Sequence, residues 1–226
     1  MDIAISRRFI IWGLIILLLF SLIFALPSSY ASTPKTLYTV VIDAGHGGVD
    51  GGAVGRTTGK EENSLNLEYA NCLKNLLEAF SMEVVMTRTN LNGLYGAFST
   101  NKKRDDMQRR KDIIQKSGAD LVISIHMNSH SLSSYKGAQV FYKKTDENGM
   151  RLANNIQALF LQTLPNARKT ASPGDYYILN CSSIPSVIVE CGYLSNPQDE
   201  QNLLTTTYKD SLCTSIFIGI VKYLSL

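Results

Sequence analysis

Three residues of this chain stand where apolar, strand-like runs of sequence stop: His46 after residues 37–42, His126 after 121–125 and Glu190 after 187–189. A lone histidine at a strand end is usually a satisfied structural group; two of them, with an acidic helix start between, point to a metal. Two imidazoles and one carboxylate are a common donor set of catalytic zinc, which keeps a fourth position for water and activates that water for hydrolysis. The chain has three histidines. His130 lies in the turn Met127-Asn128-Ser129-His130-Ser131 and is expected to face solvent. The third donor is expected from Glu61 or Glu62, which both follow a glycine-rich loop and open a helix. Acidic residues in a first helical turn favour the helix dipole in any case, so residue type alone leaves the two open.

These side chains need elements to hold them. Residues 37–42 are β-branched and apolar, stop at Asp43-Ala44-Gly45, and predict a buried strand that delivers the loop carrying His46. From Glu62 to Phe80 the positions of Leu65, Tyr69, Ala70, Leu73, Leu76 and Leu77 predict a helix. Strand patterns follow at 83–86, 121–125, 137–142, 176–179 and 187–189. Helical patterns occupy 104–116 and 150–164, with Pro165 ending the second, and two more helices are expected after Pro197. Residues 89–103, rich in Asn, Gly, Ser and Thr, predict a loop that could rim a groove. Alternating strands and helices predict an α/β fold: one domain with a mostly parallel mixed sheet flanked by helices, its ligands gathered at the carboxyl ends of the strands.

Arg7 and Arg8 precede an unbroken apolar stretch from Phe9 to Leu26, so residues 1–31 are expected to be a cleaved signal peptide or an uncleaved membrane anchor. Either leaves residues 32–226, the expected catalytic domain, outside the cytoplasmic membrane. That length suits one domain with its own core. A net charge of +3 is too balanced for electrostatic nucleic-acid binding. Cys72, Cys181, Cys191 and Cys213 match neither a disulfide-stapled miniprotein nor a zinc ribbon, and buried free thiols are expected.

Val41-Ile42-Asp43-Ala44-Gly45-His46-Gly47-Gly48, with Asp50 and Gly52 following, resembles the opening motif of zinc-dependent N-acetylmuramoyl-L-alanine amidases. Ser124-Ile125-His126-Met127-Asn128-Ser129 is similar to their second metal motif, and Val189-Glu190-Cys191-Gly192-Tyr193-Leu194-Ser195-Asn196 to their catalytic-glutamate motif. The resemblance runs from about Thr39 to the C-terminus, with the motifs in the family's order. It implies one Zn2+ per chain on His46, Glu62 and His126, and Glu190 as catalytic base. Glu62 rather than Glu61 fits the family's Gly-x-x-Glu frame with Gly59, Asn66 and Leu67, although Asn63 stands where Lys is usual. Arg110 matches a family arginine, for which a solvated or structural role on its helix is expected. Met127 stands where the motif has Ala, and is expected to narrow the site.

The substrate implied is peptidoglycan, cut at the amide between N-acetylmuramic acid and L-alanine. A narrower likeness, to the CwlD-like amidases of sporulating bacteria, implies cortex peptidoglycan and a role in germination. It also admits an activating partner protein, for which the basic stretch Lys102, Lys103, Arg104, Arg109, Arg110 and Lys111 offers a surface, although a solvated helix face is the plainer expectation. Tyr95, Phe98, Tyr135, Tyr142 and Tyr176 could line a sugar groove or simply pack. Asn128 could touch substrate or hold its turn. The rival readings are a zinc peptidase or deacetylase on a neighbouring bond, and a peptidoglycan-binding protein without turnover.

Overall fold

The computed structural model describes residues 38–225. The expected signal or anchor at 1–31, and the domain boundary after it, lie outside the described residues. Strands β1 (Thr39–Ala44), β2 (Glu83–Met86), β3 (Leu121–Asn128), β4 (Gln139–Tyr142), β5 (Ser172–Pro173) and β6 (Ser186–Tyr193) form one six-stranded sheet in the order β2-β1-β3-β6-β4-β5. β2, β1, β3 and β6 run parallel, β4 is antiparallel to β6, and β5 is parallel to β4. The helices are α1 (Glu62–Ala79), α2 (Lys102–Lys116), α3 (Glu147–Thr163), α4 (Pro197–Leu203) and α5 (Thr206–Leu224). This is the expected α/β domain with a mostly parallel mixed sheet. None of the helices among the described residues is long and apolar enough to cross a membrane.

Strand alternation divides the sheet into two unlike faces. Val40, Ile42, Leu121, Ile123, Ile125, Val187 and Val189 join Leu65 and Leu73 of α1, Leu152 and Ile156 of α3, and Leu212 and Ile216 of α5 in the main core. The alternate residues Val41, Val122 and Ile188 pack in a smaller cluster with Ile114 of α2 and with Ile178 and Leu179. Asp43, Ser124, His126 and Glu190 share that second parity. They therefore project from the face that one helix and one short turn cover.

Four of the five helices start where a side chain supplies an acceptor for free N–H groups, α1 being the exception. Asn101 accepts from Arg104 N at 3.1 Å and Asp146 from Gly149 N at 2.9 Å. Asn196 accepts from Asp199 N at 3.0 Å, with Pro197 at the first helical position. Such caps are each worth about 1 kcal/mol.

Three sequence expectations change. β3 runs on to Asn128 and β6 to Tyr193, so His126 and Glu190 lie within their strands rather than at the ends. The polar parity interrupts the apolar run, while Met127 and Cys191 on the other face stay buried and keep the strands going. Residues 176–179 do not form a strand: Tyr177–Asn180 is a 3-10 turn. Asn180 curls it by donating to Asp175 Oδ1 at 3.1 Å and Tyr176 O at 3.0 Å. The short edge strand β5 had no apolar alternation to announce it, and its Pro173 suits only an edge. All four cysteines are free; Cys181, Cys191 and Cys213 are buried and Cys72 is partly so.

Candidate active site

The loop after β1 sets His46 in a left-handed conformation, φ 61°, which costs a non-glycine residue about 1–3 kcal/mol unless its surroundings hold it. Two arginines do so by gripping the loop's carbonyls. Arg110 donates to Ala44 O at 2.8 Å and His46 O at 2.6 Å, and also pairs with Asp43 and Asp106, each at 2.6 Å. Arg88 donates to Ala44 O and Gly45 O, both at 2.8 Å, and to Asn63 O at 2.7 Å. Arg110 is thus structural and buried, 1% exposed, rather than solvated.

Glu62 opens α1 and turns inward, whereas Glu61 is the exposed N-cap residue, accepting from Asn63 Nδ2 at 3.2 Å. Glu62 Oε1 lies 3.3 Å from His46 Nε2 and 2.9 Å from His126 Nδ1. It also accepts from Asn66 Nδ2 and from Met127 N, both at 3.1 Å, while Oε2 accepts from Ala53 N at 2.8 Å. Burial raises the Glu62 carboxyl, but the two imidazoles outweigh burial and hold it well below the usual carboxylate range. Burial likewise lowers His46, and the charges of Glu62 and Asp50 overcome this to bring it up to about 8. Asp50 Oδ1 stands 3.0 Å from His46 Nδ1.

One donor atom from each of His46, Glu62 and His126 lies within 4.8 Å of the others, forming a group able to hold a metal ion. The set is chemically apt: one buried carboxylate oxygen faces two imidazole nitrogens, at 3.3 and 2.9 Å. The backbone leaves room for nothing bulkier beside the set. A Cβ on Gly45 would stand 2.2 Å from His126 Cε1 and Nε2, and one on Gly52 would stand 2.5 Å from Glu62 Oε2.

Glu190 pairs in register with His126 across β3 and β6, so both side chains leave the same face side by side. Its Oε2 is buried and has no hydrogen-bond partner among the described residues. Burial pushes the Glu190 carboxyl up to about 7; the nearby Glu62 charge adds to this and the two histidines oppose it. A cavity of about 290 Å³ brings Glu190 together with His46, Glu62, His126, Asn128 and Tyr176. An unpartnered carboxylate of that acidity beside a metal-ligand set can exchange a proton with water near neutral pH.

Other sequence candidates take different places. His130 stays out of the metal-ligand group, but it is half-buried and stacked on Tyr135 at 3.9 Å rather than facing open solvent. Met127 packs its side chain in the main core and reaches Glu62 only through its N–H. Asn128 holds its turn, accepting from Ser129 N at 2.8 Å. Tyr95 and Tyr176 border the site, Phe98 is 99% exposed, and Tyr142 packs against the core. Sequence reasoning missed Arg88 and the role of Asn66. Arg88 carried one signal, a cation just past a strand's carboxyl end.

A family model described as N-acetylmuramoyl-L-alanine amidase, Amidase_3, matches residues 40–222. The chain is 32% identical to the germination-specific N-acetylmuramoyl-L-alanine amidase of Bacillus subtilis, over 95% of this chain and 92% of that protein. Among solved structures it resembles the CwlD amidase of Clostridioides difficile in complex with the GerS lipoprotein, with a TM-score of 0.80, 34% identity, and coverage of 83% of this chain and 98% of that one. It also resembles the catalytic domain of CwlV from Bacillus (Paenibacillus) polymyxa var. colistinus, with a TM-score of 0.74, 28% identity, and coverage of 84% and 99%.

Proposed function

From the premise that this chain belongs to the Amidase_3 family and is an N-acetylmuramoyl-L-alanine amidase of peptidoglycan, we propose that it works with one zinc ion on His46, Glu62 and His126, and with Glu190 as the proton carrier. The observation that carries the reading is Glu190 Oε2, buried and unpartnered in the cavity shared with all three donors. When bound, the ion acidifies water and polarises the scissile carbonyl. Glu190 Oε2 takes the proton from the attacking water and then delivers it to the nitrogen of L-alanine as the C–N bond breaks. Burial makes this carboxyl a weaker acid than usual, which favours its uptake of the proton from water. Asn66 and the Ala53 and Met127 N–H groups keep Glu62 aimed.

Two finer points belong to the same reading. The B. subtilis relative is germination-specific, which supports cortex peptidoglycan of spores as the substrate and export across the membrane that surrounds the forespore, through residues 1–31 as signal or anchor. The CwlD structure is a complex with a lipoprotein, which supports an activating partner protein for this chain.

The test is Glu190→Gln, with bound zinc measured beside turnover on isolated sacculi. The expected outcome is retained zinc with turnover reduced about 10²–10⁴-fold. Normal turnover would sink the base role, and lost zinc would make Glu190 a ligand instead.

A further inference from the structure

The metal-ligand group opens on two cavities, not one. Beside the cavity of about 290 Å³ that holds Glu190 lies another of about 300 Å³ running toward α2. The two share His46, His126, Tyr176 and Ile188 as walls, which leaves room for one arm of a substrate on either side of the ligand group. Their chemistry differs. The cavity with Glu190 offers Asn128 and Ser129 as polar groups and no cationic side chain besides the histidines. The α2 cavity carries Lys102 and Lys103 at its rim, with Tyr95 and Tyr177 beside them.

Two of the three acidic groups of this second cavity are already paired: Asp43 and Asp106 with Arg110. Asp50 lies 3.0 Å from His46 Nδ1 and also feels the charge of Lys103. Neither Lys102 nor Lys103 forms an ion pair among the described residues; Lys102 Nζ instead sits over the Tyr95 ring, 5.5 Å from its centroid. Their position does not serve the helix. Both lie in the first turn of α2, where cations oppose the helix dipole. The two arms of the substrate differ in the same way: the glycan presents amides and hydroxyls, whereas the peptide beyond L-alanine presents free carboxylates.

We propose that the α2 cavity is the peptide side of the active site, with Lys102 and Lys103 pairing with carboxylates of the stem peptide and the glycan lying on the Glu190 side. The assignment rests on the amidase reading of the site. It makes the two lysines determinants of substrate preference that take no part in the proton transfer, and it predicts discrimination between acidic stems and stems whose carboxylates are amidated. Both side chains are exposed, so replacing them leaves the core intact.

The experiment compares two N-acetylmuramoyl peptides, one with a free carboxylate on the second peptide residue and one with the carboxamide. Each is turned over by the full-length protein and by its Lys102→Ala/Lys103→Ala and Lys102→Arg/Lys103→Arg variants. The wild type is expected to prefer the acid. The alanine pair should lose about tenfold of that preference, chiefly through KM, as expected for charge-assisted contacts to a carboxylate, while the arginine pair keeps it. An unchanged preference in the alanine pair, or no preference in the wild type, overturns the assignment alone. A wild type with bound zinc that cuts neither peptide, alone or with an activating lipoprotein supplied, overturns the reading of the site as well.

Discussion

Asn66 joins two parts of the site that the chain supplies separately. Its Nδ2 donates to Glu62 Oε1 at 3.1 Å and to Gly45 O at 3.0 Å, tying the proposed ligand carboxylate to the loop that presents His46. Groups that orient metal ligands in this way are worth about 10–100-fold in metal affinity or activity. Asn66→Ala is therefore expected to weaken zinc binding by that factor in competition with a chromophoric chelator, and tight zinc binding by the variant would show that Glu62 is held well enough without it. The histidines were legible from sequence because they are scarce and follow apolar runs. Glu62 was not separable from Glu61 on type or charge. One residue of helix is a rotation of about 100°, enough to send Glu61 to solvent and Glu62 inward, and the family frame supplied the register. Arg88 was hard to read for a different reason: its partners are backbone carbonyls, which no residue pattern encodes, whereas the family frame placed Asn66 but not its bond to Gly45 O.

The strands place the donors through close approach as much as through alternation. β1 ends in a loop whose Gly45 passes against the His126 ring of β3, and any Cβ there would overlap that ring at 2.2 Å. Gly45→Ala must push the imidazole aside, since the neighbouring backbone is held by Arg88 and Gly45 N donates to Ile125 O at 3.1 Å. A displacement of about 1 Å at a reacting centre costs on the order of 10²-fold. The variant is expected to fold, with native circular dichroism, and to lose activity by about that factor; full activity would mean that His126 is not needed where it stands. Element types and order were largely readable from the sequence, because the core parity of β1, β3 and β6 is nearly continuous. Strand ends were not, since a polar functional face breaks the apolar run before the hydrogen bonding stops. The segment 176–179 misled because apolar residues in a 3-10 turn and in a short strand look alike over four positions.

At the scale of the whole molecule, the site depends on buried charge beneath the sheet's thin face. Asp43 and Arg110 are each 2% exposed in their side chains and meet at 2.6 Å, joining β1 to α2 under the His46 loop. Removing one partner of such a pair strands the other and costs about 3–5 kcal/mol, so Arg110→Ala is expected to lower the melting temperature by roughly 10 °C at neutral pH. The pH dependence separates a charge effect from a simple loss of packing. Burial raises the Asp43 carboxyl, but the Arg110 charge, aided by hydrogen bonds from Ser124 and Thr87, outweighs it and brings the group from 3.8 down to about 2. A folded-state value below the unfolded one means that the unfolded chain takes up its proton first as pH falls. The pair's stabilisation is therefore complete above about pH 4 and disappears progressively toward pH 2. In Arg110→Ala burial is no longer opposed by that charge, so protonating Asp43 relieves strain rather than breaking a contact. Melting curves recorded from pH 7 down to pH 2 should show the gap between wild type and variant widest near neutrality and narrowing below pH 4. A gap constant across that range would mean that Arg110 supports the loop through packing and its carbonyl contacts alone.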